Sequence, residues 1–353
     1  MTVHYMALDV HCAFSEMAVV TGAGKLVRRD RCETRIPELR EAIAQVRRPR
    51  RLTFEEGPLA DWLARELRGS VDELVVCEPR RNHWITRDGD KDDPIDARKL
   101  ADLYRGGYLK AVHQPQTLRR SLLKQQVSLY HDRVRERVRQ GNQLAALFRR
   151  HGVFVKAIGL LDDEEWCFQT SRLPKSSTLR EGFELVRQIY SQLVTQENSM
   201  REGLIGLAKN EEPVRRFEAL PGMGWIRSVT FYAYIDTPHR FRSKAALWRY
   251  AGIGLERRHS GRGPVQTRLS HQGNRRLKNV LLGAAKTAID QNANPFADKY
   301  HYWTEEEGIS VPNARRNVAR AIAATLWSLW KTGETYDSQR VATPSKTAGV
   351  EQS

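Results

Sequence analysis

Residues 3–33 read VHYMALDVHCAFSEMAVVTGAGKLVRRDRCE, and the fold of the first third of the chain turns on them. Apolar residues dominate 3–10, which predicts a strand. Residues 14–20 alternate, predicting a second strand, and Gly22 to Gly24 supply the turn into a third at 26–33. Working outward, a helical period over 36–46 is followed by an apolar strand at 52–55, a helix over 59–67 and one more strand at 74–77. Three strands in a meander, then helix and strand in alternation, predict an α/β domain over residues 1–112.

Asp9 lies near the end of the first of these strands, within ALDV. A carboxylate among apolar strand neighbours is costly unless it is paired or holds a metal. Glu55 and Glu56 close the fourth strand in RRLTFEEG, and strand phase favours Glu55 while leaving Glu56 open. In KDDPIDARKLADL a helix opens, and Asp93 and Asp96, three residues apart, share one of its faces. Two strand ends and a helix start can converge four carboxylates, the hard-oxygen set that Mg2+ takes in phosphoryl transfer. The same helix start also reads as capping, with Asp93 as N-cap, Pro94 at the first helical position and Asp96 completing the pair. Taken with the strand order, the four acids point to a ribonuclease-H-like fold; periodicity by itself reaches only α/β.

Residues 113–214 turn helical and basic. Leu118, Leu122, Leu129, Val134 and Val138 recur at a helical period, and after a Pro/Ser break at 174–177 a second amphipathic run carries Leu179, Phe183, Val186, Tyr190 and Leu193. A long antiparallel helical pair, a coiled-coil-like linker, is expected there. Residues 215–336 form a second, mostly α-helical domain, and the polar tail 337–353 is expected to be disordered.

The 353 residues hold 58 Lys and Arg against 42 Asp and Glu, a net charge of +16 with pI near 9.9. Such an excess favours a polyanionic partner, because each neutralised phosphate releases condensed counterions. Cys12, Cys32, Cys77 and Cys167 stand singly, without disulfide or zinc spacing, which fits a reducing compartment. Neither an export signal nor an 18-residue apolar run is present in the sequence, so a cytoplasmic, nucleoid-associated protein that crosses no membrane is expected.

The second domain opens on Leu220-Pro-Gly-Met-Gly224 before an apolar helix at 225–234. This resembles a helix-hairpin-helix, in which Gly222 and Gly224 would let backbone N–H groups approach a phosphate; an ordinary tight helix–helix turn has the same pattern. Residues 255–263, LERRHSGRG, read as a loop with Ser260 between His259 and Gly261. RLSHQGNRR then leads into an apolar helix at 277–289. From Arg257 to Lys278 the cations Arg257, Arg258, Arg262, Arg268, Arg275, Arg276 and Lys278 meet no acid, a phosphate-ready stretch around Ser260. A serine in a glycine loop is commonly a turn residue, but it can attack a phosphodiester when a base or metal activates it; His259 and His271 stand near enough in sequence to accept its proton.

The ordered set ALDV, TFEEG, KDDPIDARKLADL, LPGMG, AGIG, HSG and SHQGNRRLKNVL resembles the insertion-sequence-110 family of transposases, the DEDD transposases, over residues 3 to 330. The family's common E-x-x-G is one residue shorter here, and Asp92 beside Asp93 permits a shifted register. The resemblance implies that Asp9, Glu55, Asp93 and Asp96 bind Mg2+ in a RuvC-like domain and that Ser260 is the nucleophile that becomes linked to DNA. It further implies donor and target DNA as substrates, a structured guide RNA encoded by the element, and a homo-oligomer, dimer or tetramer, in which one subunit's acids meet another's serine. Two rival readings are a RuvC-like nuclease that uses water and a non-catalytic nucleic-acid-binding protein.

Overall fold

The computed structural model describes residues 2–79, 93–115, 117–258, 266–269 and 273–341, with backbone alone at 93–94, 256–258 and 266–269. The chain divides into two compact units, Met1–Ser121 and Leu122–Ser353.

In the first unit the expected strands form. They are β1 (His4–Val10), β2 (Phe14–Thr21), β3 (Leu26–Glu33), β4 (Arg50–Glu55) and β5 (Glu73–Cys77), ordered β3-β2-β1-β4-β5 in one sheet. The meander β1–β2–β3 is antiparallel, whereas β4 joins β1, and β5 joins β4, in parallel. The parallel joins need crossovers, which α1 (Ile36–Ala44) and α2 (Ala60–Leu67) provide.

Alternation along the strands sorts the two faces. Met6, Leu8, Met17, Val19, Leu52 and Phe54 form one core with Leu39, Ile43, Leu63 and Leu67 from α1 and α2. On the opposite face Ala7, Val20 and Cys77 pack with Leu100 and Ala101 of α3 (Asp93–Arg105). Small side chains on both sides, including the buried Ala18 and Ala97, let this helix lie close to the sheet. Both sheet edges are managed. β3 alternates half-buried with exposed, largely charged residues, and β5 is covered by the chain returning from α3, where Val112 N–H donates to Val76 O at 2.7 Å.

The helix expected to be capped by Asp93 begins at Asp93 itself, with Pro94 as its second residue. The side chain of Asp93 lies outside the described residues, so its capping role does too.

The second unit is mostly helical. α4 (Leu118–Arg149) and α6 (Ser177–Lys209) run 32 and 33 residues, each about 48–50 Å at 1.5 Å per residue. Between them lies α5 (Asp163–Ser171). Leu144, Phe148, Val153, Leu160, Trp166, Leu173, Phe183 and Tyr190 make a small separate core along this pair.

The main core joins Val127, Tyr130, Leu204 and Ala208 of the long helices to α7 (Glu212–Glu218), α8 (Gly224–Ile235), α9 (Lys244–Tyr250), α10 (Arg275–Gln291), α11 (Pro295–His301) and α12 (Val311–Thr332). Phe217 stands edge-on to Phe231 at 5.5 Å and to Trp330 at 5.4 Å, fixing α7, α8 and α12 together.

Residues 255–263, expected as a loop, open instead as a strand. β6 (Leu255–Arg258) pairs antiparallel with β7 (Gln266–Leu269), Leu255 opposite Leu269 and Arg258 opposite Gln266. Four-residue strands are too short to show a period, which is why the sequence conceals them. The expected disordered tail starts at 337, yet Ser338–Arg340 makes a 3-10 turn whose Arg340 bonds Glu334 at 2.9 Å; residues 342–353 lie outside the described set. Among the described residues no helix is long and apolar enough to cross a membrane.

Candidate carboxylate site and serine hairpin

Parallel register places two of the sequence-selected acids side by side. Leu8 pairs with Phe54, so Asp9 and Glu55 follow as the next residues on adjacent strands. Both share the phase of Ala7 and Thr53, the face covered by α3. Tyr104, near the end of α3, stacks edge-on to Tyr5 near the start of β1, their rings 5.6 Å apart at 89°. α3 therefore runs antiparallel to β1, and its first turn, with Asp93 and Asp96, lies toward the strand end that carries Asp9. Glu55 is exposed, and Asp9 and Asp96 are half-buried.

Two neighbours of Asp9 were not among the residues selected from sequence. His11 Nε2 lies 3.3 Å from Asp9 Oδ2. Glu16 is paired directly opposite Asp9 across β1 and β2, points to the same face and is only 8% exposed. Arg31 balances it, with Nε 3.5 Å from Glu16 Oε1 and its guanidinium carbon 3.5 Å from the centre of the Phe14 ring. The signal was present: in FSEMAVV, Glu16 has the phase of Ala18 and Val20, an acid on an otherwise apolar face.

The donor set fits a hard cation, since every selected group offers carboxylate oxygen. No group of three or more Asp, Glu, His or Cys side chains among the described residues is gathered tightly enough to hold a metal, and the side chain of Asp93 lies outside that set. Asp9, Glu55 and Asp96 thus share one end of one sheet face without closing on a point.

Of the second group, Ser260, His259, His271 and Arg262 lie outside the described residues, and Arg257, Arg258 and Arg268 are described by backbone alone. The AGIG turn at 251–254 and Gly273 pack together so closely that a Cβ on Gly273 would stand 2.3 Å from Gly252 Cα. Asn274 N–H donates to Tyr250 O at 2.7 Å, and the Asn274 side chain accepts from Leu277 N–H at 3.0 Å, capping α10. Both ends of the β6–β7 hairpin are thereby tied to α9 and α10.

The basic residues selected after the hairpin divide. Arg275 is exposed and Lys278 half-buried beside Gly252. Arg276 turns inward, donating to the Asp132 carboxylate, Ser128 Oγ and Tyr234 Oη. Burial works against the Asp132 carboxylate, but hydrogen bonds from Arg276 and Arg135 hold its pKa below the usual range. His131 beside it is pushed down to about 4, by burial first and by the Arg276 cation second. Thr230 donates to Ile226 O at 2.7 Å, so its hydroxyl accepts from His131 Nε2 at 2.9 Å, which makes the ring a neutral Nε2–H donor.

The glycines of LPGMG also divide. Gly222, at φ +81°, is buried, and a Cβ there would stand 2.1 Å from Ala284 O of α10. Its carbonyl accepts from Arg227, which also donates to Thr287 Oγ1 at 3.0 Å. Tight packing accounts for Gly222, whereas Gly224, at φ +57°, faces open space.

Two family models match the chain. One, for the DEDD transposases of the IS110 type and described as "Transposase", matches residues 6–152. The other, described as "Transposase IS116/IS110/IS902 family", matches residues 214–301, including AGIG, the serine hairpin and all of α10 and α11. The transposase for insertion sequence element IS1111A of Coxiella burnetii (strain RSA 493 / Nine Mile phase I) is 22% identical over 259 residues, covering 70% of this chain and 68% of that protein. With both halves matched in order by models of one family, the chain belongs to the IS110 family of transposases and is a DNA transposase.

Proposed function

We propose that this transposase cleaves and rejoins DNA through a serine nucleophile, Ser260, working with a divalent-metal site of Asp9, Glu55, Asp93 and Asp96 on a ribonuclease-H-like domain. The observation that carries the reading is the adjacency of Asp9 and Glu55 at the ends of parallel strands, on the face over which α3 starts. Mg2+ is the ion suited to such a set, and when bound it supplies positive charge that draws electron density from the scissile phosphate. Ser260 Oγ attacks phosphorus and loses its proton to a nearby base, His259 or His271. The P–O bond to one strand end breaks, and that end leaves as a hydroxyl. A hydroxyl from the partner strand then reverses the step and frees the serine. Arg257, Arg258, Arg262 and Arg268 balance the pentacoordinate charge, while the exposed Arg275 and Gly224, in a helix-hairpin-helix-like turn, contact the DNA backbone.

The division into a catalytic domain (1–112), a helical linker (113–214) and a transposase domain (215–336) belongs to this proposal. So do a structured guide RNA and an oligomer in which one subunit's acids serve another's serine. The test is a denaturing gel for covalent protein–DNA adducts on element-end DNA with Mg2+. The wild-type chain forms an adduct, and Ser260→Ala removes it while leaving DNA binding intact. An adduct that persists in Ser260→Ala overturns the serine assignment, and free ends without any adduct in the wild type would mean that water is the nucleophile.

A further inference from the structure

Within the second unit, α9, α11, α12 and the segment after α12 line an open cavity of about 610 Å³. This lies within the size range of small-molecule sites. Its walls carry Trp248, Trp303 and Tyr336 together with Lys244, Lys299 and Arg320.

Two of the aromatic walls, Trp248 and Tyr336, are held in place. Trp248 Nε1 donates to Arg320 O at 3.0 Å, and Arg320 in turn is fixed by Ile253 O and Asn317 Oδ1, both at 2.7 Å. Tyr336 stacks on Phe296 at 6.4 Å and 15°, and its buried hydroxyl has no hydrogen-bond partner among the described residues. The cavity has four cations against two acids, and both acids, Glu334 and Asp337, are bonded to one of the cations, Arg340, at 2.9 and 3.6 Å. Lys244 and Lys299 have no acidic partner among the described residues. Lys299 is pushed below its ordinary pKa by burial first and by Lys244 second. An exposed and a half-buried lysine left together beside aromatic faces repel each other, and an anion with a flat, stackable body would relieve that repulsion.

We infer that this cavity receives one unpaired nucleotide of the DNA on which the transposase acts, its phosphate between Lys244 and Lys299 and its base against Trp248 or Trp303. Stacking on a fixed indole tolerates any base, and the lysine pair reads the backbone, so the site holds a displaced strand without reading its sequence. None of the residues lining it is a selected carboxylate or belongs to β6 or β7, and the inference rests on the transposase reading only for the identity of the strand.

The test compares the full-length wild-type chain with Lys244→Gln/Lys299→Gln and with Trp303→Leu. Fluorescence anisotropy is read with a labelled (dT)8 strand and, separately, with a labelled duplex. For the lysine pair, single-strand affinity falls about tenfold and the slope of log K against log salt becomes shallower by about 1.4. Trp303→Leu lowers it by about five- to tenfold. Duplex affinity is unchanged in both, and the duplex bound by the wild type reports the transposase reading on its own. Unchanged single-strand binding in both variants, or an equal loss on duplex, overturns the inference. So does micromolar displacement of (dT)8 by thymidine 5′-monophosphate, which would mark a site for free nucleotides, or tighter binding of (rU)8 that the lysine substitutions abolish.

Discussion

Replacing Gly222 by Ala separates two readings of LPGMG, because the turn's glycine is either a backbone port for phosphate or a packing necessity. The added methyl falls 2.1 Å from Ala284 O, short of an ordinary contact near 3.4 Å by about 1.3 Å. Both parties are backbone, so neither can swing aside; the turn and α10 must separate or the φ of +81° must change. The left-handed conformation costs an L-residue about 1–2 kcal/mol, and overpacking a filled core about 1–3 kcal/mol more. We expect Gly222→Ala to lose about 3–4 kcal/mol. Gly224→Ala, with positive φ but open space around it, loses about 1–2 kcal/mol. Urea unfolding followed by tryptophan fluorescence, with Trp225 next to the turn as one reporter, measures both. The packing account fails if Gly222→Ala is no more destabilising than Gly224→Ala, or if it weakens DNA binding at unchanged stability.

Two further predictions concern the polar cluster under α10. His131 titrates at about 4 when folded and near 6.5 when unfolded, so the unfolded chain takes up the proton first as pH falls. Its contribution, on the order of 2 kcal/mol after allowing for partial exposure, is whole above pH 6.5 and lost between 6.5 and 4. His131→Asn should remove that part of the acid dependence in urea unfolding at pH 7 and 4.5, and an identical pH profile would refute it. Arg276→Met and Asp132→Asn in a double-mutant cycle should show a coupling of about 1 kcal/mol, since both side chains keep some solvent. If Arg276→Met instead costs DNA affinity with no loss of stability, the residue is a DNA ligand and the inward bonds are incidental.

The first unit was legible because its signals are local. Alternation in FSEMAVV, the glycine turn before Leu26 and the helical spacing after Thr34 each name an element within ten residues. The adjacency of Asp9 and Glu55 follows from strand order; the phase of Glu16 is legible in FSEMAVV, and only its place opposite Asp9 needs the register of β2 against β1. In the second unit, AGIG and HQGN stood out as motifs without a reason. The reason is that residues twenty-one apart, Gly252 and Gly273, touch each other's backbone. Arg276 was read as one more cation of a basic run; its partner Asp132 lies on another helix 144 residues earlier, beyond any local pattern. The cavity of Lys244 and Lys299 was invisible for the same cause, its walls being drawn from four stretches of chain.

The clamp formed by Gly252, Gly273 and Asn274 has a consequence for how this enzyme can change. Because the hairpin's two roots are fastened to the helices that flank them, β6 and β7 are anchored to the domain by contacts of their own. Lengthening a loop whose ends are already fixed costs only a fraction of a kcal/mol per added residue. Changes at the glycine roots should therefore show as lost stability, and changes at Ser260 as lost chemistry, so the two can be altered separately. An engineered variant would keep Ser260, His259 and Arg262 and leave every glycine at the roots untouched.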